Sequence, residues 1–247
     1  MKLNITQILS ASASFYKEHF KKMMGISFAV FVFTALMQVM EYTQTIFTKH
    51  AQILWLLVGV VFIYAVLIAM MILLPKLYLA MPILINSLLG KKPLTAKAAY
   101  RETRGKYWLM VRCALLIGIV YVPFMLIVFT KIPYVSVISS VCMAFVSSLF
   151  YTLFPMIAIE PRANQYIRRS VSMIKGNYAS VLILTLLTST LLSVILGILK
   201  QVFQVNTTVS IIIGLAYAAV CFFVYPFTNT VSVMVYRQLK DKPATRY

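Results

Sequence analysis

Six apolar segments, 23–40, 52–74, 108–129, 132–159, 178–199 and 209–236, alternate with short stretches that hold most of the charge. At about 1.5 Å per residue the shortest just crosses a hydrocarbon core of about 30 Å, so each is expected to be a membrane-spanning helix. The fourth and sixth exceed that minimum and should tilt or emerge at one end. The second continues through Pro75 and Pro82 as far as Gly90, too far for one straight span. A kink near Pro75 is expected there, with Lys76 at the membrane boundary. Pro123, Pro155 and Pro226 interrupt spans three, four and six. Neighbouring helices should satisfy the carbonyls that these prolines leave without a donor.

Charge then orients the spans. Of the 23 lysines and arginines, all but Lys49, Lys131 and Lys200 fall on one side of this threading. Short loops rich in Lys and Arg resist translocation, so both termini are expected in the cytoplasm. Residues 1–22 lack the continuous apolar stretch of a secretory signal, which leaves the first span as the expected insertion signal. With 62% hydrophobic residues, 11% charged residues and a mean hydropathy of +0.90, the chain has too much apolar surface for a soluble domain. A net charge of +18 beside apolar spans points to anionic lipid headgroups, at roughly 1 kcal/mol per charge, rather than to nucleic acid. The expected fold class is all-α: a polytopic membrane protein of six transmembrane helices, with residues 1–247 as one integral membrane domain.

An internal repeat refines this picture. The frames Lys17-Glu18-His19-Phe20, Arg104-Gly105-Lys106-Tyr107 and Lys175-Gly176-Asn177-Tyr178 each read basic, two residues, aromatic. Upstream lie the stripes Leu9, Ala13, Tyr16, Phe20; Ala96, Tyr100, Thr103, Tyr107; and Ile167, Val171, Ile174, Tyr178. Their 4-3-4 spacing puts each set on one helical face. Such helices would lie in the headgroup plane, apolar side down and cations up. The expectation is three parallel units, 1–90, 91–160 and 161–247, each an amphipathic interfacial helix followed by two spans. Lys17, Arg104, Arg168, Arg169 and Lys175 are the candidate headgroup contacts.

Reactive chemistry is sparse. Of the five acidic residues, Glu18, Glu41, Glu102, Glu160 and Asp241, none lies mid-span, so the buried carboxylates of a proton relay are missing. His19 and His50 fall on opposite sides of the membrane and cannot share a metal or a proton. Cys113, Cys142 and Cys221 lie inside spans without a CxxC pair. No GxSxG, HExxH or phosphate-binding Gly-rich loop occurs, so no enzyme, cofactor or metal site is expected. The spans carry hydroxyls instead, which favour close helix packing. Ser140, Ser147, Thr188, Pro226 and Asn229 are the candidates for lining a polar cavity, and Asn229 in particular needs a partner helix or water.

The stretch Pro155-Met156-Ile157-Ala158-Ile159-Glu160, then Ile167-Arg168-Arg169-Ser170 and Lys175-Gly176-Asn177-Tyr178, resembles a bacterial membrane-domain family. That family occurs N-terminal to some glycerophosphodiester phosphodiesterases and as free-standing proteins. The closing Val235-Tyr236-Arg237-Gln238-Leu239 is similar to its aromatic-basic exit from the last helix, whereas Ala99 stands where a serine matching Ser170 would be. The resemblance implies a bacterial cytoplasmic-membrane location and no catalysis, because the phosphodiesterase barrel is a separate domain. The function expected is contact with lipid or a partner protein, in envelope maintenance or protection against membrane-active peptides. The alternative is a permease, or the accessory subunit of a transporter, for a lipid-like or peptide substrate. Expected partners are membrane lipids, chiefly anionic, or another membrane protein such as an ABC transporter, and not nucleic acid.

Overall fold

The computed structural model describes residues 3–50, 53–90, 93–128, 135–160, 165–190 and 207–240, and every element among them is helical. In chain order these are α1 (Ile5–His50), α2 (Ile53–Leu88), α3 (Ala96–Glu102), a 3-10 turn (Arg104–Lys106) and α4 (Tyr107–Val128). Then follow α5 (Val135–Leu149), α6 (Leu153–Ile159), α7 (Tyr166–Ile174), α8 (Tyr178–Thr185), a π-helical turn (Leu186–Thr190) and α9 (Thr207–Lys240). Five helical stretches are long and apolar enough to cross a membrane. The α7–α8 pair, bent by 102°, makes a sixth if it is counted as one span.

The long helices form a closed ring in chain order. α1 packs on α2, α2 on α4, α4 on α5 and α5 on α8, and α9 touches the π turn after α8 and returns to α1. The α1–α9 seam is antiparallel. Ser12 Oγ lies 3.1 Å from Met234 Sδ, and the Tyr16 hydroxyl donates to the Phe223 carbonyl at 3.0 Å. Ser27 donates to the Phe222 carbonyl further along.

Length sets up two layers. α1, α2 and α9 have 46, 36 and 34 residues, each overrunning a hydrocarbon core of about 30 Å by roughly 20 Å or more. At the overrunning end the packing is dense: Leu79, Leu84, Leu153, Met156, Ile157, Val233 and Tyr236 have no exposure at all. This base consists of the N-terminal part of α1, the end of α2, α3, α6, α7 and the end of α9. α6 sits within it, against α2, α4, α7 and α9. In the second layer, Tyr64, Ile68, Met71, Leu115, Ile119 and Ile212 are all exposed. Apolar side chains facing outward are what a lipid solvent permits and water does not.

Aligned on the three frames, equivalent positions share the same burial. Ser12, Ala99 and Ser170 have no exposure; Met23, Met110 and Val181 are buried, as are Ile26, Cys113 and Leu184, and Val30, Ile117 and Thr188. These faces differ from the expected stripes. In α7 the inward residues are Tyr166, Ser170 and Ile174, while Val171 is exposed. Ser170 can be buried because its hydroxyl has partners, Thr152 Oγ1 at 2.9 Å and the Leu149 carbonyl at 3.3 Å. A valine gains nothing from that polar niche.

The frames also differ in how the chain turns. The first unit was expected to begin with a separate surface-lying helix, but α1 runs without a break through Lys17-Glu18-His19-Phe20. Frames two and three have glycine where the first has Glu18. Gly176 adopts φ +91°, open to glycine at no steric cost, and the chain bends there between α7 and α8. Glutamate in that place keeps the helix going. α2 likewise remains one helix through Pro75 and Pro82, and its continuation past Lys76 enters the base.

Candidate functional site

The charged centre of the base is Glu160, the residue that ends α6. Its side chain is 9% exposed. Oε1 accepts from the Tyr236 hydroxyl at 2.5 Å and lies 3.5 Å from Lys240 Nζ, and Oε2 accepts from Arg169 Nη1 at 2.6 Å. Lys106 donates to the neighbouring Ala158 carbonyl, at the end of α6 where carbonyls lack helical donors. One carboxylate thus ties α6, α7 and α9 together, with the start of α4 joined alongside. Burial is the largest influence on its pKa and pushes it up, but the Tyr236 hydrogen bond and the Arg169 and Lys240 charges together outweigh it. The net result is a carboxyl held below its ordinary value. Such a group, with both oxygens occupied, is a clasp and a poor proton donor at neutral pH.

A second clasp holds the chain start. Asn177, third in its frame, accepts from the Leu3 amide at 3.0 Å and so ties the entry to α1 to the α7–α8 turn. The frame aromatics join neighbouring units around the ring. The Tyr107 hydroxyl reaches the Met71 carbonyl of α2 at 3.5 Å, Tyr178 donates to the Phe145 carbonyl of α5 at 2.9 Å, and Phe20 packs on Phe222 and Phe223 of α9. One of these contacts, and the Ser27 hydrogen bond at the α1–α9 seam, answer a proline. Pro75 has no N–H for the Met71 carbonyl and Pro226 has none for the Phe222 carbonyl; Tyr107 meets the first and Ser27 the second.

Among the predicted headgroup contacts, Lys17, Arg104, Arg168 and Lys175 are exposed. Arg169 is exposed too, but its guanidinium is paired with Glu160. His19 is half-buried and stacks on Phe15 with centroids 4.4 Å apart. Ser147 donates to Met143 on its own helix and pairs with Tyr121 of α4 at 2.6 Å. Thr188 donates to the Leu184 carbonyl, with Tyr151 at 3.4 Å. Asn229 donates to the Tyr225 carbonyl at 2.8 Å within α9, and Pro226 is buried in the base. The side chain of Ser140 lies outside the described residues, as do those of Glu41, His50 and Asp241.

Among the described residues, no three of His, Cys, Asp and Glu come together as metal ligands would. Sequence reasoning missed the junction of Glu160, Tyr236 and Lys240. Its one-dimensional trace was an acid closing an apolar span in a chain with few acids. No family model, curated protein or solved structure matches the chain.

Proposed function

We propose that this chain is a non-catalytic protein of the bacterial cytoplasmic membrane, related to the membrane domains that accompany some glycerophosphodiester phosphodiesterases. It works through contact with lipid or with a partner protein, in envelope maintenance or protection against membrane-active peptides. One observation carries this reading. Glu160, the one buried carboxylate among the described residues, is bound into the base, whereas Lys17, Arg104, Arg168 and Lys175 are exposed and carry no carboxylate partner among the described residues. Unpaired cations beside apolar helices suit anionic headgroups. Ser147, Thr188 and Asn229, the described polar side chains proposed for a permeation path, are bonded to helix carbonyls, which gives the permease reading less support.

The reading puts the cationic end in the cytoplasm, with three two-span units forming the ring. Reconstitution tests it. The protein should melt at a higher temperature in nanodiscs of phosphatidylcholine with phosphatidylglycerol than in phosphatidylcholine alone. Replacing Lys17, Arg104, Arg168 and Lys175 with glutamine should remove the difference and sensitise cells to a membrane-active peptide. Equal melting in both lipids, with unchanged cellular sensitivity, would abandon the lipid-contact reading.

A further inference from the structure

Lys76 is the one cation inside the apolar stretch of α2, with Pro75 before it and the buried Leu77 after it. It is half-buried, and among the described residues no carboxylate pairs with it. Two tyrosine rings hold its ammonium instead, with Nζ 5.4 Å from the centre of Tyr107 and 5.9 Å from that of Tyr100. These rings favour a cation electrostatically but leave its net charge in place. Arg104, exposed on the 3-10 turn, lies in the chain between the two tyrosines.

On the other side of Tyr107 the surface becomes apolar. Trp108 meets the Tyr107 ring edge-on at 5.2 Å and is 69% exposed, and Met71, whose carbonyl the Tyr107 hydroxyl approaches, is 70% exposed. An exposed indole between cations and an apolar helix face is the arrangement that sits at headgroup depth. The ammonium supplies a point charge for a phosphate and the guanidinium two parallel donors. Acyl chains can run along the outward faces of α2 and α4 beyond.

We propose that Lys76 and Arg104 bind the phosphodiester of one anionic glycerophospholipid, positioned by Tyr100 and Tyr107, with its acyl chains against Trp108 and Met71. This rests on the lipid-contact reading above and gives it a defined site. The test uses the full chain, reconstituted in phosphatidylcholine nanodiscs containing phosphatidylglycerol, released into mild detergent and examined by native mass spectrometry. The wild type should retain one phosphatidylglycerol. Lys76→Gln and Arg104→Gln should each lower retention by about fivefold or more, the equivalent of one interfacial charge. Lys76→Arg should restore it and Lys21→Gln should leave it unchanged. If Lys76→Gln does not fold, Arg104→Gln, at an exposed position, decides.

Retention at the wild-type level in both glutamine variants would overturn the site. Displacement of the lipid by inorganic phosphate as readily as by short-chain phosphatidylglycerol would overturn the lipid assignment in favour of a soluble anion. Wild-type retention in both variants together with a surviving preference for anionic nanodiscs sinks this site alone. No retained lipid together with no preference sinks the broader reading as well.

Discussion

The base and the spans are built from the same apolar residue types but solve opposite problems. In the base, side chains such as Leu84 and Met156 have no exposure, and polar groups are buried only where they are bonded, as Ser170 is to Thr152. Along the spans, Leu115 and Ile119 face outward at 60% and 66% exposure. Interior packing at close to crystalline density makes each base residue hard to replace. A side chain surrounded by lipid loses little when shortened, since lipid fills the space. The base should therefore carry the cohesion of the molecule, and the spans its immersion.

The largest effect that could break this contrast comes from truncating a base residue. Met156→Ala should destabilise the protein by about 2–5 kcal/mol in a denaturant titration in mixed micelles. Leu115→Ala should change the same measurement by no more than about 0.5 kcal/mol. Comparable losses would dissolve the distinction between the layers. Next comes the clasp. Glu160→Gln removes the charge that Arg169 and Lys240 face and should cost about 1–3 kcal/mol, with Glu160→Gln/Arg169→Gln recovering part of it.

The same carboxylate sharpens the comparison through pH. Its folded-state pKa lies below the ordinary 4.5, so its stabilisation is complete above about pH 4.5 and is lost as the pH falls through the lower folded value. Melting temperature should drop in that acid window for the wild type and less for Glu160→Gln. A smaller effect is expected at the seam between the layers. Ser27→Ala leaves the Phe222 carbonyl opposite Pro226 without its donor and should cost about 0.6–2 kcal/mol in the same micelle assay. The smallest effect on stability should come from Lys17→Gln/Arg168→Gln/Lys175→Gln. Its melting temperature in phosphatidylcholine should match the wild type, and only the gain from phosphatidylglycerol should shrink.

Much of the membrane character was legible in one dimension. Hydropathy over 18 or more residues reports a span directly, because a helix in lipid must satisfy its own backbone and needs no distant partner. The spacing of the frames was legible for a similar reason, since a helix converts sequence interval into angle. The direction in which each helix turned its buried face was not. The choice of Ser170 over Val171 depended on Thr152 and Leu149, which are near only after α5, α6 and α7 have met.

The candidate site divides in the same way. Exposed cations such as Arg168 and Lys175 could be named from the chain, because leaving a charge at the surface requires nothing else from the fold. Arg169 looked identical to Arg168 in sequence, yet the fold places its guanidinium against Glu160. Lys76 gave no sign of the ring pair around it, which comes from residues beyond the α2–α3 connection.

What the sequence by itself determined is the apolar solvent and the helical class, since each follows from composition and interval along the chain. Only the tertiary structure decided that the long helices close into a ring over a dense base, and which cations meet the carboxylate buried in it. Those outcomes depend on distances between residues far apart in the chain, such as Tyr236 and Glu160, and side-chain partners set such distances where local propensity does not.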